Sequence, residues 1–216
     1  MVKAVIFDMD GTLIDSQPIW YRVSTDFFQK NGFPITIDDM IKLTGSPVGK
    51  LVDFVLQAHG QKEKDRAQLV AELMDYAVSE ILAAKPLMPN VKETLAFLKQ
   101  HQIKMAVASA SPRNMLQGIV ESCGIAEYFD YLASAEDLAF NKPHPAVYLH
   151  AAQQLGVSAA DCFAVEDSVL GMISGKAASM KMVVIPALAE WDDPRWSLAD
   201  FKLANIQELA NLINDE

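Results

Sequence analysis

The sequence predicts a parallel α/β sheet interrupted near its start by an all-helical insertion, on three observations. Short, continuously apolar runs rich in β-branched residues occur at 3–7 (KAVIF), 103–108 (IKMAVA) and 162–165 (CFAV), with 182–185 (MVVI) as a fourth. Helical stretches separate them, and strands without polar alternation belong to a parallel sheet covered on both faces. Between residues 15 and 87 only helical periodicity is found, as in Leu69-Leu73-Tyr76-Ala77. A strand-helix-strand crossover needs far less chain than this.

The first run ends at FDMDGT, residues 7–12. The insertion then occupies 16–86, with Pro86 and Pro89 marking its return, so 1–15 and 87–216 form the sheet domain. A helix is predicted over 90–100 from Val91, Leu95 and Leu98 at helical spacing. Another is predicted over 112–123, with Ser111 as N-cap, Pro112 in first position and Gly124 ending it. A third runs over about 168–180 from a Ser or Asp cap, and 206–213 closes the chain.

Composition narrows the function classes. The chain has 216 residues, 51% hydrophobic and 21% charged, which is ordinary for a globular protein. No apolar run approaches the ~20 residues that span a bilayer, so no membrane partner is expected. MVKAVIFD reaches an acidic residue too early for a secretory signal. Cys123 and Cys162 sit in apolar surroundings without metal-ligand spacing, and are expected as reduced core thiols of a cytoplasmic protein. The net charge of −10, without a Lys/Arg cluster, argues against nucleic acid. An anionic small molecule would need local positive charge supplied by its site. Nothing indicates an obligate interface, and a monomer is expected.

In a parallel sheet, ligands bind outside the carboxyl ends of the strands. After the first run come Asp8 and Asp10; after the second, Ser109-Ala110-Ser111; after the third, Glu166-Asp167-Ser168. Asn141-Lys142-Pro143-His144-Pro145 opens a further helix. Each piece has an ordinary reading. Asp-Gly is a strong turn signal, Ser109, Ser111, Asp167 and Ser168 suit N-caps, and most lysines are solvated. His144, between two prolines, reads as structural.

Taken together they select a chemistry. Residues i and i+2 of an extended segment share a face, so Asp8 and Asp10 can point into one pocket. Carboxylates that close need a cation or a proton. With Asp167 and Glu166 they make a hard-oxygen site suited to Mg²⁺. Lys142 adds a fixed positive charge, and the helix N-terminus after Ser111 offers amide donors to an anion. Such a site suits phosphoryl transfer, with a carboxylate as nucleophile and a second moving the proton.

With these residues in place the sequence strongly resembles the haloacid dehalogenase superfamily, in its phosphatase branch with a helical cap, over the whole chain. FDMDGT matches the first motif, SAS at 109–111 the second, Lys142-Pro143 the third and Glu166-Asp167 the fourth. The resemblance implies a Rossmann-like core with the cap at 16–86. It implies Asp8 as nucleophile, Asp10 as general acid/base, and Ser109, Ala110 and Lys142 around the phosphoryl group. Mg²⁺ would be held by Asp8, the Asp10 carbonyl and Asp167, with Glu166 as a ligand or one step removed.

Longer strings, LIDSQPIW, ASASPRNML, NKPHPAVYL and VEDSVLGM, are similar to bacterial sugar-phosphate phosphatases acting on 2-deoxyglucose 6-phosphate and hexitol phosphates. The 192–200 tail also looks like that group, though a surface loop reads equally well. That implies a small phosphorylated sugar or sugar alcohol as substrate. The runner-up is a β-phosphoglucomutase, which shares the quartet; mutases carry a histidine in the helix leading into the cap, where this chain has Trp20. A phospho-aspartate receiver would be shorter and lack the insertion, and a true dehalogenase needs neither Mg²⁺ nor an acid at position 10. The segment 44–50 departs from the pattern: relatives commonly carry an arginine there, whereas this chain has Gly45, Pro47 and Lys50. Trp20, Gly45 and Lys50 are the candidate cap contacts.

Overall fold

The computed structural model describes residues 2–43, 46–61 and 64–215. Among the described residues six strands form one sheet: β1 (Ala4–Phe7), β2 (Lys104–Ser109), β3 (Tyr131–Ser134), β4 (Cys162–Glu166), β5 (Lys181–Val184) and β6 (Phe201–Lys202). Their spatial order is β3-β2-β1-β4-β5-β6, and every pairing is parallel. The chain divides into two compact units, Met1–Asp15 with Lys85–Glu216, and Ser16–Ala84.

The described residues of the second unit form the helices α1 (Gln17–Lys30), α2 (Ile37–Lys42), α3 (Val48–Ala58) and α4 (Arg66–Ala84). α4 buries Leu69, Leu73, Ala77 and Ile81, one residue per turn. The first three join Val23, Phe28, Phe33 and Val55 in a core of the unit's own. A reciprocal capping box between Thr36 and Asp39 starts α2.

In the sheet unit, α5 (Val91–Gln100), α6 (Arg113–Ser122), α7 (Ala146–Leu155), α8 (Val169–Ala177) and α9 (Leu209–Asp215) accompany the strands. All four residues of β1 are fully buried, as a central strand covered on both faces requires. One sheet face is lined by small residues, Ala4, Ala106, Ala108, Ala133 and Ala164. Their size lets α7 pack close across β1, β2 and β3, bringing its Tyr148 against the sheet. No helix among the described residues is long and apolar enough to cross a membrane.

Several local expectations are corrected. β3 and β6, unanticipated, are edge strands of four and two residues, too short to show periodicity. The second run starts at Lys104 and keeps Ser109 inside β2, paired with Ser134. Ser111 does not cap α6: Pro112 is the N-cap, and the Ser111 hydroxyl donates instead to Asp10 Oδ2 at 2.9 Å. Residues 85–86, placed in the insertion from sequence, lie in the sheet unit. There the Pro86 carbonyl accepts from Asp15 N–H at 2.7 Å, and Leu13 O accepts from Met88 N–H at 2.9 Å.

Candidate active site

The site is built from the carboxyl-end loops of β1, β2 and β4, three neighbouring strands, and from the loop before α7. Asp8 N–H donates to the Val165 carbonyl at 2.9 Å, extending the β1–β4 ladder by one bond and fixing where the Asp8 carboxyl emerges. A tight loop comes next, with Leu13 N–H on Met9 O (2.9 Å) and Gly11 N–H on Ile14 O (2.8 Å). Gly11 has φ +85°, a conformation that favours glycine.

At the end of β2, Ser109 is buried and its Oγ accepts from Ser111 N–H at 3.0 Å, with exposed Ala110 between them. Buried Ser134, from β3, donates to Ser111 O at 2.7 Å. The turn is thus tied at both ends, and through Ser111 it touches Asp10.

Lys142 supplies the charge inferred from sequence. Its Nζ donates to Asp8 Oδ1 at 2.5 Å and to Glu166 Oε1 at 2.6 Å, with the side chain only 8% exposed. Glu166 is fully buried at the last position of β4. Carboxylate oxygens of Asp8, Glu166 and Asp167 lie within 4.8 Å of one another.

One ammonium facing three carboxylates leaves two negative charges uncompensated. Accordingly the Asp8 carboxyl is pushed up to about 7, chiefly by burial, with Lys142 opposing and Glu166 and Asp10 adding to the rise. Asp167 is pushed well above the usual carboxylate range, again first by burial and then by Asp8 and Glu166. Burial works against the Lys142 ammonium, but Asp8 and Glu166 outweigh it and hold the group protonated. These hard oxygens with unmet negative charge fit Mg²⁺. Asp8 and Asp167 would hold the ion, with the Asp10 carbonyl available from the same loop.

Trp20, on α1, is partly buried and packs on the helical unit's core. Lys50 is exposed on α3. Gly45 lies outside the described residues.

Sequence reasoning missed three contributors. The Tyr148 hydroxyl, fully buried, donates to Glu166 Oε1 at 2.7 Å. Its signal was the one hydroxyl among the buried positions of α7, in the helix's first turn and six residues after Lys142. Gly171 leaves no room for a side chain, since a Cβ there would lie 1.8 Å from Glu166 Oε1. Ser134 escaped notice because β3 itself did. Ser168, read as a cap, is one: its Oγ accepts from Gly171 N–H, and it also donates to Glu166 Oε2, both at 3.0 Å.

Comparison with known proteins places this geometry. The family model for haloacid dehalogenase-like hydrolases matches residues 2–179. Hexitol phosphatase B of Escherichia coli K12 is 40% identical over 209 residues, covering 96% of this chain and 94% of that protein. The 6-phosphogluconate phosphatase of the same organism is 31% identical over 189 residues, covering 84% and 81%. Among solved structures, β-phosphoglucomutase of Clostridium difficile has a TM-score of 0.78 at 26% identity, with both chains fully covered.

Proposed function

The chain belongs to the haloacid dehalogenase-like hydrolase family and is a phosphoric monoester hydrolase, and we propose that it dephosphorylates small sugar or sugar-alcohol phosphates through an aspartyl-phosphate on Asp8, with Mg²⁺ as cofactor. What supports this reading is the cluster in which Lys142 faces Asp8 and Glu166 beside Asp167, at the ends of two adjacent strands. Bound Mg²⁺ would offset the negative charge gathered there and favour the approach of a phosphoryl dianion.

The chain's own groups then have distinct tasks. An Asp8 carboxylate oxygen attacks phosphorus, and the bond to the sugar oxygen breaks as Asp10 gives that oxygen a proton. Asp10, now ionised, takes a proton from water, whose oxygen attacks the phosphorus of the acyl phosphate and releases Asp8. Ser111 holds Asp10 through its hydroxyl. Lys142 stabilises the ionised nucleophile and the equatorial phosphoryl charge, and Ser109 with the amide of Ala110 lines the same pocket. The helical unit is the cap in this reading, and Trp20, Gly45 and Lys50 are its substrate-selecting candidates. The buried free thiols Cys123 and Cys162 suit a reducing, cytoplasmic setting.

The mutase resembles this chain over its full length, but the phosphatase relative is the more similar in sequence, 40% against 26% identity. A turnover screen over phosphorylated sugars, alditols and nucleotides, with and without Mg²⁺, tests the proposal. Release of inorganic phosphate from sugar or alditol phosphates, dependent on Mg²⁺ and abolished in Asp8→Asn, is expected. Conversion of one sugar phosphate to another without phosphate release would favour the mutase.

A further inference from the structure

Every lone pair of the Glu166 carboxylate is already addressed by the protein. Oε1 accepts from the Lys142 ammonium at 2.6 Å and from the Tyr148 hydroxyl at 2.7 Å. Oε2 accepts from the Ser168 hydroxyl at 3.0 Å and the Ser168 N–H at 3.3 Å. A carboxylate offers about four acceptor positions, so none remains for a metal ion without breaking a bond. The donors are themselves fixed. Gly171 N–H donates to Ser168 Oγ, turning the Ser168 proton toward Glu166. The absent side chain at Gly171 lets α8 come this close.

Tyr148 has one hydroxyl proton and gives it to Glu166. It also flanks Lys142, with its oxygen 3.5 Å and its ring centroid 5.0 Å from Nζ. Lys142 thus has the phenol beside it while its protons reach Glu166 on one side and Asp8 on the other. Asp167 differs from Glu166: it is only partly buried and makes none of these bonds.

We infer that Tyr148 is a positioning residue, and that Glu166 serves with it to anchor the Lys142 ammonium beside Asp8 rather than to ligate the cation. The inference rests on the proposed Mg²⁺-dependent hydrolysis, and it assigns the cation to Asp8 and Asp167. Oε1, the oxygen shared by Lys142 and Tyr148, is the joint of the arrangement. Without the phenol the lysine keeps its partner, but that partner is no longer held from the side.

The test pairs Tyr148→Phe, which keeps the ring and deletes only the donor, with Glu166→Gln. Calorimetric titration of Mg²⁺ into substrate-free Tyr148→Phe, which loses one net hydrogen bond, should give a dissociation constant within about 3-fold of the parent, and Glu166→Gln, which also loses a charge and one side of an ion pair, should weaken Mg²⁺ far less than Asp167→Asn does. Inorganic phosphate, as a competitive inhibitor at saturating Mg²⁺, should bind Tyr148→Phe roughly 3- to 10-fold more weakly, with kcat falling by a similar factor. Asp167→Asn is the control. If it binds Mg²⁺ like the parent, the metal assignment fails on its own account; if it loses binding while Glu166→Gln keeps it, the inference stands. Glu166→Gln weakening Mg²⁺ as much as Asp167→Asn, or Tyr148→Phe leaving both phosphate affinity and kcat unchanged, would overturn it. Should Glu166→Gln not fold, as circular dichroism would report, the Tyr148→Phe measurements decide alone.

Discussion

Gly11 and Asp167 approach so closely that a methyl group on Gly11 would lie 1.8 Å from Asp167 Oδ2. The loop after β1 and the loop after β4 are fitted to each other, backbone against carboxylate, at a residue whose φ of +85° already favours glycine. Gly11→Ala is therefore expected to push Asp167 aside. Mg²⁺ affinity should fall by about 10-fold or more, measured by calorimetry. Backbone strain should cost about 1–3 kcal/mol in denaturant unfolding.

Lys142→Met removes the ammonium that bonds Asp8 and Glu166. Breaking a buried ion pair from one side typically costs about 3–5 kcal/mol. The metal-free variant should melt well below the parent, and added Mg²⁺ should recover more of the loss than it adds to the parent. Turnover should fall by about 100-fold or more, because the phosphoryl charge loses a preorganised partner. A Mg²⁺-induced melting shift no larger than the parent's would count against the charge argument.

The raised Asp8 carboxyl makes stability pH-dependent in a definite direction. Between its ordinary 3.8 and about 7, the folded metal-free protein holds a proton that the unfolded chain has released. Folding takes up a proton in that window, so this contribution is complete below pH 4 and is lost as pH rises through 7. Its ceiling is on the order of 4 kcal/mol. Asp167 acts in the same direction. Chemical unfolding of metal-free protein should show stability declining from pH 4 to 7 with a steeper slope than in Asp8→Asn. Mg²⁺ competes with that proton, and should stabilise more at pH 8 than at pH 5.

Ser174, fully buried on α8, donates to the His144 carbonyl at 2.8 Å, two residues from Lys142. Ser174→Ala leaves that carbonyl unpaired and should cost about 1–3 kcal/mol. Because the bond ties the lysine loop to α8, kcat should fall more than the KM for substrate changes. A stability loss without change in kcat would show that the loop is held by other contacts.

The sheet was legible because its central strands are apolar throughout, and the insertion because its length exceeds any crossover. Asp8, Asp10 and the Glu166-Asp167 pair were legible because several carboxylates fall just after buried strands, and Lys142 because that cluster calls for a cation; each alone has an ordinary reading. Tyr148 was not: within AVYLHAAQQL its ring counts as one more apolar position, and only the fold brings its hydroxyl to Glu166. Ser134 was hidden for a different reason. A four-residue edge strand has no period to detect, so a serine at its end looks like loop. Ser111 shows the limit of local rules, since a serine before Pro112 reads as a cap until Asp10, 101 residues away, claims its proton.

The position of β1 between β2 and β4 has a consequence for how the chain is made. β1 leaves the ribosome before either strand that flanks it, one of those partners is complete only at Glu166, and Asp8 meets Lys142 134 residues later in the chain. Until then the AVIF segment is an unpaired edge, prone to pairing with other chains. The helical unit, whose contacts are local, can form while that edge waits. Asp8 meanwhile stays in water, where its charge carries no penalty. Closure of the sheet by β4 is thus the event that both protects the first strand and turns its terminal aspartate into a group that demands a cation.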